Sequence, residues 1–293
     1  MECMQLGEST WYLPGRVNVG LFRKGEDAWI VDSGLDDEAG RKVAKHLEKR
    51  NLRLRRIVAT HSNADHCGGN SFLRKRTGCS VAATMLEAAV IENPCMEPLL
   101  LWSAFPFREI TGKFFQAKSS PVDLVISSSG TFDESGMEAV PLPGHFLDMI
   151  GIRTEDGVLF TGDALFSAET IEKYGIIFVL DVGASHRTLD FLGRAEASWF
   201  VPGHAPASRE IGSLVRANRE GLLRASQAVL DACSVPSSRE QVLKSVAEIF
   251  GLSMSVGEYL LNSAAVSAHL SWLREQGQVF PELENGVLLW RRS

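Results

Sequence analysis

Hydrophobic and polar positions alternate near the start of the chain. Val17-Asn18-Val19-Gly20-Leu21-Phe22 and Ala28-Trp29-Ile30-Val31 flank the turn-rich Lys24-Gly25-Glu26-Asp27, so residues 10–35 predict paired strands that end at Asp32-Ser33-Gly34. The period then changes. Ala39, Val43 and Leu47, with charges between them, predict a helix over 37–50; Arg56–Thr60 returns to a strand; a second helix runs from near Gly69 to Thr77, and Ser80–Ala83 is another strand. Between Val90 and Pro121 the pattern fails, with Pro94, Pro98 and Pro106 among Trp102, Phe105, Phe107, Phe114 and Phe115. An insertion of this kind, over about 90–121, reads as a lid on a site or as a helical excursion packed on the core; the two are compatible.

Short strands resume over 121–163 and close with Gly157-Val158-Leu159-Phe160-Thr161. From Arg209 apolar residues recur every 3 to 4 positions, which predicts a helix, and further helices are expected at about 239–250, 255–262 and 264–276. Gln278-Val279-Phe280 and Val287-Leu288-Leu289-Trp290 around Glu284-Asn285-Gly286 then predict a hairpin. Three helices and a hairpin form the winged-helix pattern. The chain therefore divides into an alternating part, 1–207, and a helical, winged-helix-like part, 208–293.

Charge changes the picture of that second part. Residues 208–293 hold nine Lys/Arg and nine Asp/Glu, and the net charge of the chain is −6. The helix resembling a recognition helix, 265–273, offers only His269 and the nearby Arg274. A basic face for nucleic acid is missing, so packing or a homodimer contact is the expectation. Apolar runs fall well short of the ~20 residues that span a bilayer, and MECMQLGEST has neither a basic flank nor an apolar h-region. The five cysteines are odd in number and lack CxxC spacing. Together these predict a soluble cytoplasmic protein with reduced thiols and no membrane partner. Cys67, beside a His/Asp cluster, reads as a small buried neighbour.

That cluster is the candidate chemistry. Of seven histidines, four share one context. His61 and His66 follow the strand ending at Thr60, His145 sits in Leu142-Pro143-Gly144-His145, and His204 in Val201-Pro202-Gly203-His204. Asp65 and Asp163, the latter in Thr161-Gly162-Asp163, occupy matching positions. Imidazole and carboxylate at strand ends are the ligands of zinc or another borderline divalent ion at an open site, and six such groups suffice for two ions.

In this order and spacing THSNADHCGGN (60–70), PGH (143–145), TGD (161–163) and PGH (202–204) resemble the metallo-β-lactamase superfamily, in its glyoxalase II-like and lactonase-like branch, over about residues 10–207. The resemblance implies an α+β fold: a four-layer αβ/βα sandwich with a metal site at one edge of two packed sheets, here carrying the helical appendage. It implies that His61, Asn63 and His145 hold one metal, that Asp65, His66 and His204 hold the other, that Asp163 bridges them, and that Asp32 orients a ligand histidine. The family pattern is HxHxDH, whereas this chain has HxNxDH. A neutral amide oxygen is a harder, weaker donor than imidazole, so the first site should lose zinc affinity or favour a harder ion.

The expected function is hydrolysis of an ester, thioester or lactone-type small molecule by metal-bound hydroxide. The cofactor is one or two zinc ions, with iron or manganese as other candidates, Asp65 orients the nucleophile, and Trp102 and Phe105 act as a substrate lid. Two alternatives stand beside it: a mononuclear iron oxidase or dioxygenase of the same fold, and a non-catalytic ligand-sensing module acting through the winged helix.

Overall fold

The structure, a computed structural model, describes residues 3–293; the first two residues of the N-terminal stretch lie outside it. Strands β1 (Met4–Gln5), β2 (Thr10–Leu13), β3 (Val19–Lys24), β4 (Asp27–Val31), β5 (Arg53–Val58), β6 (Ser80–Ala83) and β7 (Leu124–Val125) form one sheet in that order. β1 to β4 are antiparallel, joined by short turns. β4 to β7 are parallel, and parallel neighbours need crossovers. Helix α1 (Asp37–Glu48) provides the first; the short α2 (Ala64–Cys67) and α3 (Asn70–Thr77) provide the second. The second sheet contains β8 (Gly130–Thr131), β9 (Glu138–Pro141), β10 (Ile150–Arg153), β11 (Val158–Phe166) and β12 (Trp199–His204), ordered β12-β11-β10-β9-β8.

The period of two along each strand decides which layer each side chain enters. In β4, Ala28 and Ile30 join Val43, Leu47 and Leu73 under α1 and α3, while Trp29 and Val31 join Ile150, Ile152, Phe160 and Val201 between the sheets. Strands buried on both faces explain the nearly unbroken apolar runs in the sequence. The sheets approach closely: a Cβ on Gly20 would sit 2.6 Å from the Phe160 ring.

Beyond β6, α4 (Met85–Glu92), α5 (Met96–Trp102) and a 3-10 turn (Arg108–Ile110) make the insertion a helical excursion. Pro98 is accommodated because it lies in the first turn of α5, where no backbone N–H is required. After β11 come α6 (Ala168–Tyr174) and α7 (Val182–Leu192). The helices α8 (Gly212–Ala232), α9 (Arg239–Phe250) and α10 (Val256–Glu275) and the hairpin β13 (Val279–Glu284)–β14 (Val287–Arg292) complete the chain. α8 and α7 cover the second sheet: Val215 and Leu222 pack with Leu142, Leu159 and Leu189. The order is therefore helix, sheet, sheet, helix.

One boundary differs from expectation. Residues 255–262 and 264–276 belong to a single helix, α10, because Asn262-Ser263 contains neither Gly nor Pro and Ser263 is buried within it, its carbonyl accepting the Ser267 hydroxyl at 2.9 Å. The hairpin turn is as expected, with Asn285 and Gly286 both at positive φ. No helix among the described residues is long and apolar enough to cross a membrane.

His269 of α10 points inward, fully buried, with Nδ1 2.9 Å from Ser226 Oγ. Burial, with His186 nearby, lowers its pKa from 6.5 to about 3. Below 6.5 the unfolded chain therefore takes up a proton that the folded chain refuses, and stability falls with pH by up to about 1.4 kcal/mol per pH unit. Between pH 6.5 and 5, wild type should lose about 2 kcal/mol more than His269→Leu in urea unfolding. Equal losses would assign the acid sensitivity to other groups.

Candidate metal centre

The site lies where the strand ends of both sheets meet, and each of the four imidazoles is held there by its Nδ1. His66 Nδ1 is 2.8 Å from Asp32 Oδ2, His145 Nδ1 2.9 Å from the Phe178 carbonyl and His204 Nδ1 2.7 Å from the Arg16 carbonyl. These partners only accept, so Nδ1 carries the proton. His61 Nδ1 lies 3.0 Å from the Thr60 hydroxyl, which donates in turn to Asp32 Oδ2 at 2.9 Å. Every Nε2 is thereby turned towards the site, as in rings prepared to ligate. Asp32 stands behind His66, its Oδ2 at the His66 Nδ1. It follows β4 at φ 61°, a left-handed conformation that Asp tolerates, and its carboxylate also accepts the Thr60 N–H at 2.8 Å.

The Nε2 atoms converge on Asp163. His66 and His204 lie 3.2 Å and His145 3.6 Å from its oxygens, and Asp65 Oδ2 is 3.4 Å from His204 Nε2. The ligand atoms of His61, His66 and Asp163 fall within 4.8 Å of one another, as do those of Asp65, His66 and His204. Asp163 gets there through an irregularity: the register between β11 and β12 shifts on either side of Gly162, which sits at φ 50°. Gly203 leaves the room, since a Cβ there would lie 2.3 Å from Asp163 Oδ1 and 2.9 Å from His66 Cε1.

The electrostatics fit a cation. Burial would raise the pKa of Asp163, but His204 and His66 outweigh it and hold the carboxyl well below its usual range. Burial opposes charge on His66 and His204, yet Asp163 and its acidic neighbours raise His66 well above 6.5 and His204 to about 10. His61 is driven well below 6.5, first by burial and then by His66. His61 Nε2, His66 Nε2 and Asp163 Oδ1 are buried without a hydrogen-bond partner. A divalent ion would satisfy these atoms and displace the protons the carboxylates otherwise draw in.

Asn63 belongs to the same surface. Its Oδ1 is 3.0 Å from His145 Nε2, while its Nδ2 donates to Glu97 Oε1 at 2.8 Å; the His61 and His145 rings are 5.1 Å apart. Two buried acids, Glu97 in the insertion and Glu87 just before it, brace this loop, and sequence reasoning missed both. Glu97 of α5 holds Asn63. Glu87 of α4 accepts the Ser62 N–H and hydroxyl at 2.8 and 2.5 Å and the Asp148 N–H at 2.8 Å, and burial raises its pKa to about 7. Each is a lone acid in an apolar run, Met85–Ile91 or Met96–Leu101, which was the available signal. Cys67 gives its thiol to the Ser62 carbonyl at 3.3 Å and stands outside both ligand clusters.

A cavity of about 730 Å³ opens over Asn63, Asp65, His145, Asp163 and His204. Its walls come from three places: Phe114 and Phe115 of the insertion, Ile176–Phe178 after α6, and, near the end of the chain, Leu252 and Met254 between α9 and α10 with Leu261 of α10. Arg16 and Lys173 bring positive charge to it. Trp102 and Phe105, expected as the lid, are absent from this lining. Trp102 packs on Phe107 with ring centroids 5.3 Å apart, and Phe105 is 83% exposed. An aromatic-rich segment signals contact with something, but only the chain's path after α5 determines which aromatics reach the cavity.

Comparison with known proteins agrees with this geometry. The hydroxyacylglutathione hydrolase of Hahella chejuensis is 30% identical over 179 residues, 60% of this chain and 55% of that protein. That of Shewanella loihica is 26% identical over 254 residues, covering 83% and 85%. The matches to the Pelagibacter ubique and Hahella chejuensis enzymes span about half the length of those relatives, 45% and 55%. Among solved structures, a metallo-beta-lactamase family protein from Thermus thermophilus superposes with a TM-score of 0.76 at 19% identity, covering 99% of this chain and 100% of that one. A beta-lactamase domain protein from Burkholderia ambifaria gives 0.74 at 18% identity, covering 100% and 94%. The profile of the metallo-beta-lactamase superfamily matches residues 12–204, and the chain belongs to that superfamily.

Proposed function

We propose that this chain is a metal-dependent hydrolase of small thioesters, with residues 1–207 supplying the metal centre and residues 208–293 closing the substrate cavity. The observation that carries this reading is the set of three imidazoles, His66, His145 and His204, presenting Nε2 to Asp163, with His61 in the same cluster, beneath a cavity of about 730 Å³. The relatives named hydroxyacylglutathione hydrolase favour a thioester over a lactone or a simple ester. The cavity suits such a molecule: apolar walls for an acyl chain, with Arg16 and Lys173 for an anionic end.

His61, Asn63 and His145 would hold one ion and Asp65, His66 and His204 the other, with Asp163 between them. Zinc is the first candidate from the ligand types. When bound, a divalent ion supplies Lewis acidity at the substrate carbonyl and acidifies water. The chain's own contribution is placement. Asp65 is held below the usual carboxylate range because His66 and His204 outweigh its burial, so its oxygens accept at neutral pH and orient a water against the carbonyl. Phe114, Phe115 and Phe178 keep bulk solvent from the acyl group, which strengthens the polar interactions beneath them.

Metal content after chelator-free purification, followed by turnover of thioester, ester and lactone panels, tests the proposal. Zinc with thioester turnover is expected; iron with oxygen consumption and no hydrolysis would overturn it. His204→Ala should lower kcat/KM by at least about 100-fold with little change in Tm, because the residue lies at the rim of the fold. Asp32→Asn keeps the shape and the left-handed backbone but removes the charge behind His66, and should weaken zinc binding by about 10- to 100-fold. Phe115→Ala should raise KM several-fold at unchanged metal content; unchanged kinetics on every accepted substrate would remove Phe115 from the binding surface.

A further inference from the structure

An asparagine side chain has two ends of nearly equal shape, and only the oxygen end can ligate a cation. Which end faces the His61–His145 side is therefore decided by what holds the other. In this structure the Nδ2 donates to Glu97 Oε1 at 2.8 Å, and Oδ1 is left 3.0 Å from His145 Nε2. His145 commits its Nδ1 proton to the Phe178 carbonyl at 2.9 Å, so in the neutral ring two lone pairs, an oxygen and a nitrogen, aim at the same space. Positive charge is what such a pair accommodates. Glu97 itself is 4% exposed, and the backbone N–H of Ala64 also faces its carboxylate.

We infer that Glu97 is a positioning residue that locks the Asn63 amide with its oxygen towards the first metal position, making a weak ligand dependable. This rests on the reading of the centre as a zinc site. Glu97 acts on the first metal position through Asn63, from the edge of the cavity that it also lines. It also links the centre to the insertion: α5 turns Glu97 inward while Leu99 and Leu100 on the same helix are exposed.

Glu97→Gln separates this role from simple packing. Two donors, Asn63 Nδ2 and Ala64 N–H, face position 97, and glutamine replaces one of the two acceptor oxygens with an NH2 donor. The backbone N–H is fixed, whereas the Asn63 amide can reverse, so it would turn its NH2 group towards His145. Volume and the bond to Ala64 are kept. Stepwise zinc affinities are measured by competition titration of chelator-stripped wild type, Glu97→Gln, Asn63→Ala and the double variant.

The weaker zinc step should lose about 10- to 100-fold in Glu97→Gln, with the tighter step unchanged and no further loss on adding Glu97→Gln to Asn63→Ala. Wild-type affinity in Glu97→Gln overturns the inference, and so does an equal loss in the Asn63→Ala background, which would mean the carboxylate acts only through its charge. If Glu97→Gln does not fold, the swap Asn63→Asp with Glu97→Gln restores the hydrogen bond with reversed polarity at the same total charge. It should bind zinc in both steps, and loss of the weaker step would again overturn the assignment. Wild type that binds no zinc at all refutes the metal reading and this inference together, whereas selective failure of the cycle leaves the metal reading standing.

Discussion

Asp163 is a carboxylate buried among three imidazoles, and the tertiary structure around the site follows from keeping it there. An ionised carboxylate in the interior is costly unless it is paired and hydrogen-bonded. Its partners come from distant parts of the chain: His66 from the short α2 after β5, His145 from the loop after β9, His204 from the end of β12. The charge is tolerable only when both sheets are in register and packed, so the centre and the sandwich specify one another. The glycines at 162 and 203 meet the same demand, since a bulge and an absent Cβ are what let the carboxylate reach the rings.

Behind the ligands stands a second set of groups that decides direction rather than identity. Asp32, Thr60, the Phe178 carbonyl and the Arg16 carbonyl each take one Nδ1, and an imidazole so anchored has only one nitrogen left to offer. Two of the four anchors are main-chain carbonyls, which any residue could provide. The chemistry of the site thus depends on backbone path as much as on side-chain type, and a conservative change in a neighbouring loop could misdirect a ring without touching it.

The insertion and the last helices have parallel roles on opposite sides of the cavity. α4 and α5 reach inward with Glu87 and Glu97 to brace the loop bearing Asn63, while Phe114 and Phe115 after them form one wall. Leu252, Met254 and Leu261 form another, and Gly257 allows the Phe115 ring to approach where a Cβ would lie 2.7 Å away. Under the proposed function, the substrate would be selected where these two segments meet over the cavity.

Local sequence determined the elements and singled out the candidate ligands. Apolar runs between turn residues marked the strands of the first sheet, the period near 3.6 marked α1 and α8, and the Asn285-Gly286 turn marked the hairpin, because each of these signals lies within a few residues of itself. The His, Asp and PGH motifs were equally legible: ligating atoms must be of certain types, and strand-end loops advertise them. The sequence could not decide anything that depends on two segments meeting. The buried glutamates went unnoticed in the sequence because their partners lie in another loop, and Trp102 and Phe105 read as a lid whereas the path of the chain brings Phe114 and Phe115 to the cavity. Whether Asn63 presents an oxygen or an amino group follows from a single hydrogen bond to a residue 34 positions away, a contact that only the folded chain makes.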